Sequence, residues 1–541
     1  MAFKIPKFYF KGIKRITIPK LDSDFSTEDY GWSVIKKYLP QILSTHKKNA
    51  EKIKFLYNYF LGEQDILDKR RQHKINEENN HQEIENHASR QVEFKTGFLC
   101  GERRDYTHKS DVDSDDLIYL DRYFTDCKFF SKDADLKEWI YATGIGVTHT
   151  SPRTDIIVSD GFDELTQTTK TRYARADEGY DVEYEAPFTF DCVDPSENFV
   201  VYSSSFGKES LFSVSYVDTD LSTENDEYPI IGKELLIETR YASFRFKSDK
   251  WFRNFFWNRP EEVEIKVKNL RYLPLIEFSV NKDRIGIVEK NRSSFNTINL
   301  FRSAVNDMVV DNSNAILVFK NVDIKSEEVQ EMRKAGAIII SDSQTARTSG
   351  STADLKTVTI EMELDKMSTY LDQVVQNCYD IAGVPLASGQ VTSGGDTGQA
   401  RLLGGGWNNA YIIIHKEIQT LLGQDYDQLK LILMLCKQVT NCPIDKLYAS
   451  QIDINYRVNQ NDNYLVKTQG MLNLYQMDCD PEFIMKTGGL SNDIKTDAKA
   501  WRENIERKKA EQTEIENQRS NTTQTIEVDE FTSQNGNNSQ E

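Results

Sequence analysis

The sequence predicts an α+β protein that is mainly helical, and two observations carry this prediction. Apolar residues recur three and four positions apart over residues 26–100 and over most of the chain beyond 293, which is the helical period. Residues 187–290 instead hold runs of β-branched and aromatic residues bounded by polar turns, which is typical of strands. A strand-rich middle between two helical regions is an α+β arrangement.

Size and composition bound the class of protein. The chain of 541 residues is longer than one hydrophobic core usually holds, so several domains or subdomains are expected. Its hydrophobic fraction of 38% and charged fraction of 28% suit a protein with much exposed surface, or an elongated subunit of an assembly. The net charge of −18 argues against tight binding of nucleic acid through its phosphates, although solubility alone also accounts for it.

No pattern marks the chain for a membrane or for export. No apolar run approaches the roughly eighteen residues of a spanning helix. Residues 1–20 contain six Lys or Arg and no acid, but no continuous apolar core and no cleavage site, so a signal peptide is not expected. The seven cysteines are scattered without a CxxC pair, which predicts free thiols in a reducing cytoplasm.

Sequence patterns of enzymes and metal sites are missing or incomplete. The chain has no P-loop, GxSxG or HExxH motif, and the GIG at 144–146 lacks the third glycine of a dinucleotide fingerprint. Residues 111–116 faintly resemble a calcium loop, but Asp116 stands where glycine is needed and Arg122 where glutamate is needed. The histidines show no ligand spacing. We therefore expect no catalytic residue, no cofactor and no metal.

The remaining elements follow in order along the chain. An extended basic arm is predicted at 1–25, and a polar, disordered tail after about 508. Predicted helices lie at 30–44, 49–61, 83–98, 293–315, 327–335, 362–382, 399–438 and 463–507. Beyond the strand-rich middle, predicted strands lie at 315–319, 337–341, 357–361 and 452–458. The helix at 293–315 carries an apolar stripe formed by Phe295, Ile298, Phe301, Val305 and Met308.

Several stretches occur in the order of one known family. The first, 57–101, joins YFLG (59–62) to an Asn-rich segment and ends on GFLCG (97–101). The others are PSENFVVY (195–202), YLPLIEF (272–278) and TGQARL (397–402). Together they resemble the portal proteins of tailed double-stranded DNA bacteriophages, of the siphovirus-like type. The chain departs from the family where three residues rather than one separate Asn80 from Ile84, and at Arg401, which replaces an apolar residue.

The resemblance implies a phage portal fold with wing, stem, clip and crown regions, in a ring-forming subunit. The order of helix, small insert, helix, Gly-rich loop and long helix is similar to the stem, clip, stem, tunnel loop and wing of that fold. The implied regions are the arm at 1–25, the wing at 26–290, the first stem helix at 291–315, the clip at 316–360, the second stem helix at 361–382, the tunnel loop at 383–398, the long wing helix at 399–445, the crown at 446–507 and the tail at 508–541.

By the same resemblance, the chain is a portal vertex subunit whose ring forms the channel for viral double-stranded DNA. The DNA is packaged into the capsid and ejected from it through this channel. The ring is a homo-oligomer, expected as a dodecamer, that assembles with scaffold and major capsid proteins. It docks the terminase large subunit and later the head–tail connector or adaptor protein. The implied location is the portal vertex of the virion after assembly in the host cytoplasm, with no membrane contact.

Three groups of residues are implied as functional. The Gly-rich loop would project into the channel and touch DNA. Its candidate residues are Gln390, Thr392, Ser393, Gly394, Gly395, Asp396, Gln399 and Arg401. Acids on the second stem helix would repel DNA phosphates if they face the channel, and these are Glu363, Asp365, Asp372 and Asp380. The clip would contact partner proteins through Lys320, Lys325, Glu328, Arg333 and Lys334.

Each group also has a plain structural interpretation, as a flexible surface loop, a solvated helix face and an exposed insert. Two other functions stay open. One is another structural head or connector protein of the virion, which a ring with an open axial channel would distinguish. The other is a nucleic-acid enzyme such as a terminase or nuclease, against which the missing P-loop argues and which an ATPase assay would test.

Overall fold

The structure is a computed structural model of the chain. It describes residues 11–19, 30–67, 80–109, 116–153, 157–163, 168–173, 183–220, 231–248, 263–267, 271–313, 316–320, 327, 354–358, 364–386, 407–440, 442–458, 464–488 and 497–515. The fold is α+β and mainly helical, as the sequence predicts. The chain forms two compact units, the first comprising Met1–Arg103 and Ser110–Ile452, the second Arg104–Lys109 and Asp453–Glu541.

Helices account for most of the described residues. They are α1 Trp32–Leu61, α2 His87–Cys100, α3 Asp116–Asp126, α4 Phe129–Thr143, α5 Ile287–Ser313, α6 Leu364–Ala382, α7 Trp407–Lys437, α8 Tyr464–Gln476 and α9 Pro481–Gly488. Residues 497–515 are also helical, and a short 3-10 turn covers Ala449–Gln451.

Strands occur in five sheets among the described residues. They are β1 Ile16–Ile18, β2 Asp105–His108, β3 Gly146–Pro152, β4 Ile157–Asp163, β5 Thr168–Tyr173, β6 Phe188–Val193, β7 Asn198–Ser203, β8 Ser210–Asp220, β9 Ile231–Glu238, β10 Ala242–Ser248, β11 Glu264–Val267, β12 Leu275–Phe278, β13 Ile316–Lys320, β14 Asp354–Val358, β15 Val439–Thr440 and β16 Ile452–Asn455. The orders are β1-β7-β8-β9-β10-β11, β12-β3-β6, β15-β5-β4, β13-β14 and β16-β2. β1 joins β7 in parallel, whereas the pairs from β7 to β11 are antiparallel.

The main core lies between α1 and the six-stranded sheet. Ile35, Leu39, Ile42 and Leu43 form the buried face of α1. The residues of the sheet that meet them are Ile16, Ile18, Phe199, Val201, Phe212, Val214, Leu235, Ile237, Phe244 and Phe246. Burying each Leu or Ile side chain stabilises the fold by about 1.5–3 kcal/mol, so this contact fixes α1 across the sheet.

α1 is one helix where the sequence predicts two, separated at 45–48. His46 and Asn49 are buried on the face that meets the sheet and the arm. The His46 Nε2 atom lies 2.9 Å from the Ser196 carbonyl oxygen. The Asn49 side chain accepts from the Lys14 N–H at 3.2 Å and donates to its carbonyl at 2.7 Å. The predicted break is wrong because buried polar side chains with backbone partners have the sequence pattern of surface residues.

Burial of His46 makes the fold sensitive to acid. Desolvation lowers the pKa of the imidazole from 6.5 to about 4, against the opposing effect of its bond to Ser196. Since the pKa is lower in the folded state, the unfolded state binds more protons between pH 6.5 and 4. Stability present above this window is therefore lost as the pH falls through it, by about 3 kcal/mol in total.

We expect the denaturant midpoint to fall less steeply from pH 6.5 to 4 in His46→Gln than in the wild-type chain. The same substitution at His415, an exposed position of α7, serves as the matched control and should keep the wild-type slope. Equal slopes in all three chains would contradict a neutral, buried His46.

The described part of the basic arm is fastened to the first turn of α5. Residues 11–19 begin with a bend at Gly12 and contain β1. The Gly12 N–H donates to both carboxylate oxygens of Glu289, at 3.0 and 3.1 Å. The Lys52 ammonium donates to Glu289 Oε1 at 2.7 Å and to the Gly12 carbonyl at 2.9 Å. Gly12 has φ 68°, and a Cβ there would lie 1.9 Å from the Asp283 carbonyl oxygen, so this position requires glycine.

The second unit has its own contacts. β2 pairs with β16, and the Arg457 guanidinium forms an ion pair with Asp105 beside this ladder. In the helical part of the unit, the Tyr475 and Trp501 rings stack with centroids 5.5 Å apart. The β2–β16 ladder and the Arg457–Asp105 pair join the segment 104–109 to residues far along the chain.

Later elements keep the predicted order but differ at their ends. α5 begins at Ile287, before the predicted start at 293, because buried Ile287 and Val288 extend its apolar face. β14 covers Asp354–Val358 instead of 357–361. The predicted strand at 337–341 lies outside the described residues.

Three absences apply to the described residues alone. None of their helices has the length and apolar character needed to cross a membrane. They contain no cluster of three His, Cys, Asp or Glu side chains suited to a metal ion. No disulfide joins the seven cysteines, all of which lie in described segments.

Candidate channel and docking elements

α5 and α6 form an antiparallel pair that carries the two predicted stem segments. The Lys290 ammonium donates to the Ile381 carbonyl at 2.6 Å, near the start of α5 and the end of α6. Farther along, the Phe301 and Tyr370 rings lie 6.2 Å apart. Beyond both helices, β13 and β14 pair in antiparallel register. The chain therefore runs out along one helix and strand and returns along the other.

Buried polar contacts fix the base of this pair onto α2. The Asn291 side-chain amide donates to the Cys378 carbonyl at 2.9 Å and to Gln91 Oε1 at 3.0 Å. His87 Nδ1 lies 3.0 Å from the Tyr379 hydroxyl. Burial lowers the pKa of His87, which favours the neutral imidazole. Because unpaired polar groups are costly when buried, these bonds specify how the three helices meet.

An extended strap, residues 80–86, lies along α5. Alternate backbone N–H groups of the strap donate to side chains that are four residues apart on the helix. The bonds are His81 N–H to Asp307 Oδ1 (2.8 Å), Glu83 N–H to Ser303 Oγ (3.0 Å) and Glu85 N–H to Asn299 Oδ1 (3.0 Å). All three acceptor residues are buried. The polar stripe of α5 thus replaces a neighbouring strand for the backbone of the strap.

The YFLG motif ends α1 and holds the end of the strap. Gly62 closes the helix with φ 113°, a conformation that favours glycine. The Phe60 carbonyl accepts from the side-chain amide of Asn86, which also caps the N-terminus of α2. The Tyr59 hydroxyl donates to Asn296 of α5 at 2.9 Å. The motif that carries the family resemblance is therefore a structural junction of α1, the strap and α5.

Asp65, in the turn that follows α1, forms hydrogen bonds with two residues of α5. Its carboxylate accepts from the Arg292 guanidinium at 2.8–3.1 Å and from the Asn296 amide at 2.7 Å. The Asp65 side chain is 6% exposed and that of Arg292 is 24% exposed. A bidentate and largely desolvated ion pair of this kind holds Asp65 and Arg292 in one relative geometry.

Described helices lie before and after the Gly-rich stretch. Gly383 ends α6 with φ 67°, and a Cβ there would lie 2.4 Å from the Ile413 side chain of α7. Trp407, the first residue of α7, lies with its ring centroid 5.8 Å from that of Phe94 and 6.0 Å from that of Phe98. The start of the loop at Gly383 therefore lies beside α7, and α7 begins beside α2.

α7 is anchored to the body by polar side chains. Glu417 accepts from Lys95 at 3.3 Å and from the Tyr141 hydroxyl at 2.9 Å. Gln428 accepts from the Thr148 hydroxyl at 2.8 Å, while its amide donates to the Thr150 hydroxyl at 2.6 Å. These bonds tie the long helix to α2, α4 and β3.

The structure describes some of the predicted functional residues. Asp365, Asp372 and Asp380 are exposed on α6. Lys320 ends β13, opposite Asp354 of β14. The other predicted residues lie outside the described ones, and these are Glu363, Lys325, Glu328, Arg333, Lys334, Gln390, Thr392, Ser393, Gly394, Gly395, Asp396, Gln399 and Arg401.

The predicted apolar stripe of α5 is only partly covered. Phe295 and Ile298 are fully buried, but Phe301 and Val305 are half-buried and Met308 is 40% exposed. Further exposed apolar side chains of the helix pair are Leu300, Val309, Val310, Tyr370 and Ile381. Large apolar side chains thus reach solvent on both helices of the single subunit.

Sequence reasoning missed the polar stripe formed by Asn299, Ser303 and Asp307. Their spacing of four residues was a usable signal, because it places three polar side chains on one face of a helix. Their burial could not be read from that spacing, since a polar stripe is usually solvated.

The comparison with protein families agrees with the resemblance. The family model for phage portal proteins of the SPP1 Gp6-like type matches residues 39–400. No curated protein matches the chain. One similar solved structure is described as the neck of an empty GTA particle computed with C6 symmetry. It has 11% sequence identity and a TM-score of 0.37, over 75% of this chain and 90% of that chain. Because the family model covers more than half of the 541 residues, the chain belongs to the SPP1 Gp6-like family of phage portal proteins.

Proposed function

We propose that the chain is a portal vertex subunit whose ring forms the channel for packaging and ejecting viral double-stranded DNA. The observation that carries the proposal is the antiparallel excursion of α5 and α6, extended by β13 and β14, from a body of helices and sheets. It supports α5 and α6 as the stem and the insert between them as the clip. The family is one of structural virion proteins rather than of enzymes.

Ring formation is supported by the apolar side chains that α5 and α6 expose. A ring needs two different surfaces on each subunit that fit one another. Leu300 and Val309 of α5, with Tyr370 and Ile381 of α6, supply apolar area on both helices. A neighbouring copy would cover this area, and a dodecamer is the expected closed assembly.

The channel assignment is supported by charge and by the ends of the Gly-rich loop. Asp365, Asp372 and Asp380 are exposed along α6, with Glu363 just before it in the sequence. Like charges on a channel wall repel the DNA phosphates and let the duplex slide. The loop 383–398 starts at the end of α6. The proposed DNA contacts are Gln390, Thr392 and Ser393 in this loop and Arg401 just after it.

The partners follow from the proposed role. The clip, with Lys320, Lys325, Glu328, Arg333 and Lys334, is the proposed docking site for the terminase large subunit and then for the head–tail connector protein. Assembly would take place in the host cytoplasm with scaffold and major capsid proteins, and the finished ring would occupy the portal vertex of the capsid.

Electron microscopy of the purified full chain tests the proposal. We expect closed rings with a central opening in end-on views, and twelve subunits in rings taken from capsids. A monomer that persists over a wide range of salt and protein concentration would contradict the proposed function. An ATPase assay on the same preparation should show no turnover.

Neutralising the stem acids should strengthen DNA binding by the assembled ring. In the triple variant Asp365→Asn, Asp372→Asn and Asp380→Asn, we expect rings of unchanged subunit number that bind a short duplex about three- to tenfold more tightly at low salt, because phosphate repulsion is reduced. Fluorescence anisotropy measures the affinity. A control triple variant at exposed acids of other elements, Glu93→Gln, Glu264→Gln and Asp427→Asn, should bind as wild type. Equal affinity of both triple variants would contradict a channel-facing α6.

A further inference from the structure

We propose that the strap at 80–86 sets the axial height and the rotation of α5 relative to the wing, with Asn299, Ser303 and Asp307 as positioning residues. The inference rests on the proposed channel function, in which α5 is a stem helix. In this proposal, the strap couples displacements of the wing to the position of α5 in the channel wall.

The spacing of the two partners makes the register specific. Four residues of an α-helix rise about 6.0 Å, and two residues of an extended chain span about 6.6 Å. Alternate N–H groups of the strap therefore come level with every fourth side chain of α5. A shift of the strap by one residue would turn the donating N–H groups away from the helix. The three bonds consequently fix the height of the helix along the strap.

A second row of contacts fixes the rotation of the helix. The Glu85 carboxylate accepts from Arg302 Nε at 3.0 Å, and the Glu83 carboxylate accepts from the Asn306 amide. Both donors lie three residues beyond an acceptor of the first row, on the adjacent face of α5. Two rows of bonds to one extended segment leave the helix a single orientation.

Burial makes the contact hard to release. Asn299, Ser303 and Asp307 are at most 3% exposed. The Ser303 hydroxyl donates to the Asn299 carbonyl at 2.8 Å, so its oxygen is available to accept from the Glu83 N–H. Losing the strap would take one backbone N–H donor from each of these three buried acceptors, which disfavours partial detachment.

The end of the strap at Asn86 is fixed as well. Asn86 donates to the Phe60 carbonyl at 2.9 Å and accepts from the Gln64 amide at 2.9 Å. The strap is thus held at Asn86, beside the end of α1 and the start of α2, and residues 81–85 lie on α5. A displacement of α1 or α2 would be transmitted to α5 through this segment.

The experiment compares variants of the full chain assembled as rings. The double variant Ser303→Ala and Asp307→Ala removes two acceptors. The conservative pair Ser303→Thr and Asp307→Asn keeps an oxygen at each position. The control is Thr297→Ala, because this exposed hydroxyl bonds to the Ser293 carbonyl of its own helix. The readouts are subunit number, hydrogen exchange of the strap amides, the position of α5 in cryo-electron microscopy maps, and DNA packaged per ring.

We expect the alanine variant to form rings of normal subunit number in which exchange of the amides of His81 and Glu83 rises about tenfold or more. The position of α5 relative to the six-stranded sheet should shift or spread, and DNA packaging should fall. The conservative pair should restore all three readouts, and Thr297→Ala should match wild type.

Two results would overturn the inference. One is loss of amide protection in the alanine variant with an unchanged α5 position and full packaging, since the strap would then be merely structural. If the alanine variant does not form rings, exchange in wild-type rings decides: strap amides that exchange much faster than the amides of α5 overturn it. Absence of rings from the wild-type chain contradicts the proposed function instead, so the two failures are distinguishable.

Discussion

Glu289→Ala is expected to destabilise the fold by about 3 kcal/mol or more, because it removes the carboxylate that neutralises the buried Lys52 ammonium. Lys52 is 1% exposed and Glu289 17% exposed, with 2.7 Å between Lys52 Nζ and Glu289 Oε1. Burial lowers the pKa of Lys52, and Glu289 opposes this effect. The same change also removes both acceptors of the Gly12 N–H. The arm, α1 and α5 would then lose their common contact.

The denaturant midpoint of the purified chain measures this loss. The matched control is Asp427→Ala, which removes the Lys430–Asp427 pair of α7, whose side chains are 43% and 60% exposed. Exposed pairs contribute about 0.2–1 kcal/mol, so this variant should shift the midpoint little. Similar shifts for the two variants would show that the Lys52–Glu289 pair does not hold the arm in place.

Gly144→Ala is the second large effect, with an expected loss of about 3 kcal/mol or more. Gly144 ends α4 with φ 101°, which is unfavourable for any residue with a Cβ. A Cβ there would lie 2.3 Å from the Arg284 carbonyl oxygen and 2.8 Å from the Gly286 nitrogen. Both neighbours are backbone atoms of the segment leading into α5, so relief of the clash would displace the start of that helix.

Gly97→Ala should change the stability of the same chain in the opposite direction. Gly97 lies inside α2, and a Cβ at this position would have no heavy atom within 4 Å. Alanine should therefore stabilise the chain by about 0.5–1 kcal/mol, because it restricts the unfolded chain and favours the helix. Thermal unfolding of the two variants should move in opposite directions. An unchanged or raised melting temperature in Gly144→Ala would contradict the close approach of α4 to the segment before α5.

The helices and strands were predictable where one local period dominates. The apolar face of α1 and the strands of the six-stranded sheet follow from spacing, because burial on one side of an element repeats with its own geometry. The same rule failed at 45–48, where His46 and Asn49 are buried with backbone partners. It also placed the start of α5 too late, since Ile287 precedes the polar residues taken as the boundary.

Of the candidate site, the sequence predicted the helices α5 and α6 and two strands, β13 and β14, between them. The prediction that Asp365, Asp372 and Asp380 line a channel stays a prediction, since their exposure on α6 is equally that of a solvated helix face. The sequence did not predict the strap contact, because the partners of that contact are more than 200 positions apart: 226 for His81 and Asp307, 220 for Glu83 and Ser303. Local spacing contains no information on which distant segment will supply a donor.

The sequence by itself determined the α+β class, the succession of elements and membership of the portal family, since each is written in local periods or in the order of short motifs. The tertiary structure alone decided which polar residues are buried and which residues they pair with. Lys52 with Glu289, Asp65 with Arg292, and the strap with α5 are polar in the sequence and look solvated there. Only chain folding removes water from them, and that desolvation is what turns ordinary polar side chains into specific contacts.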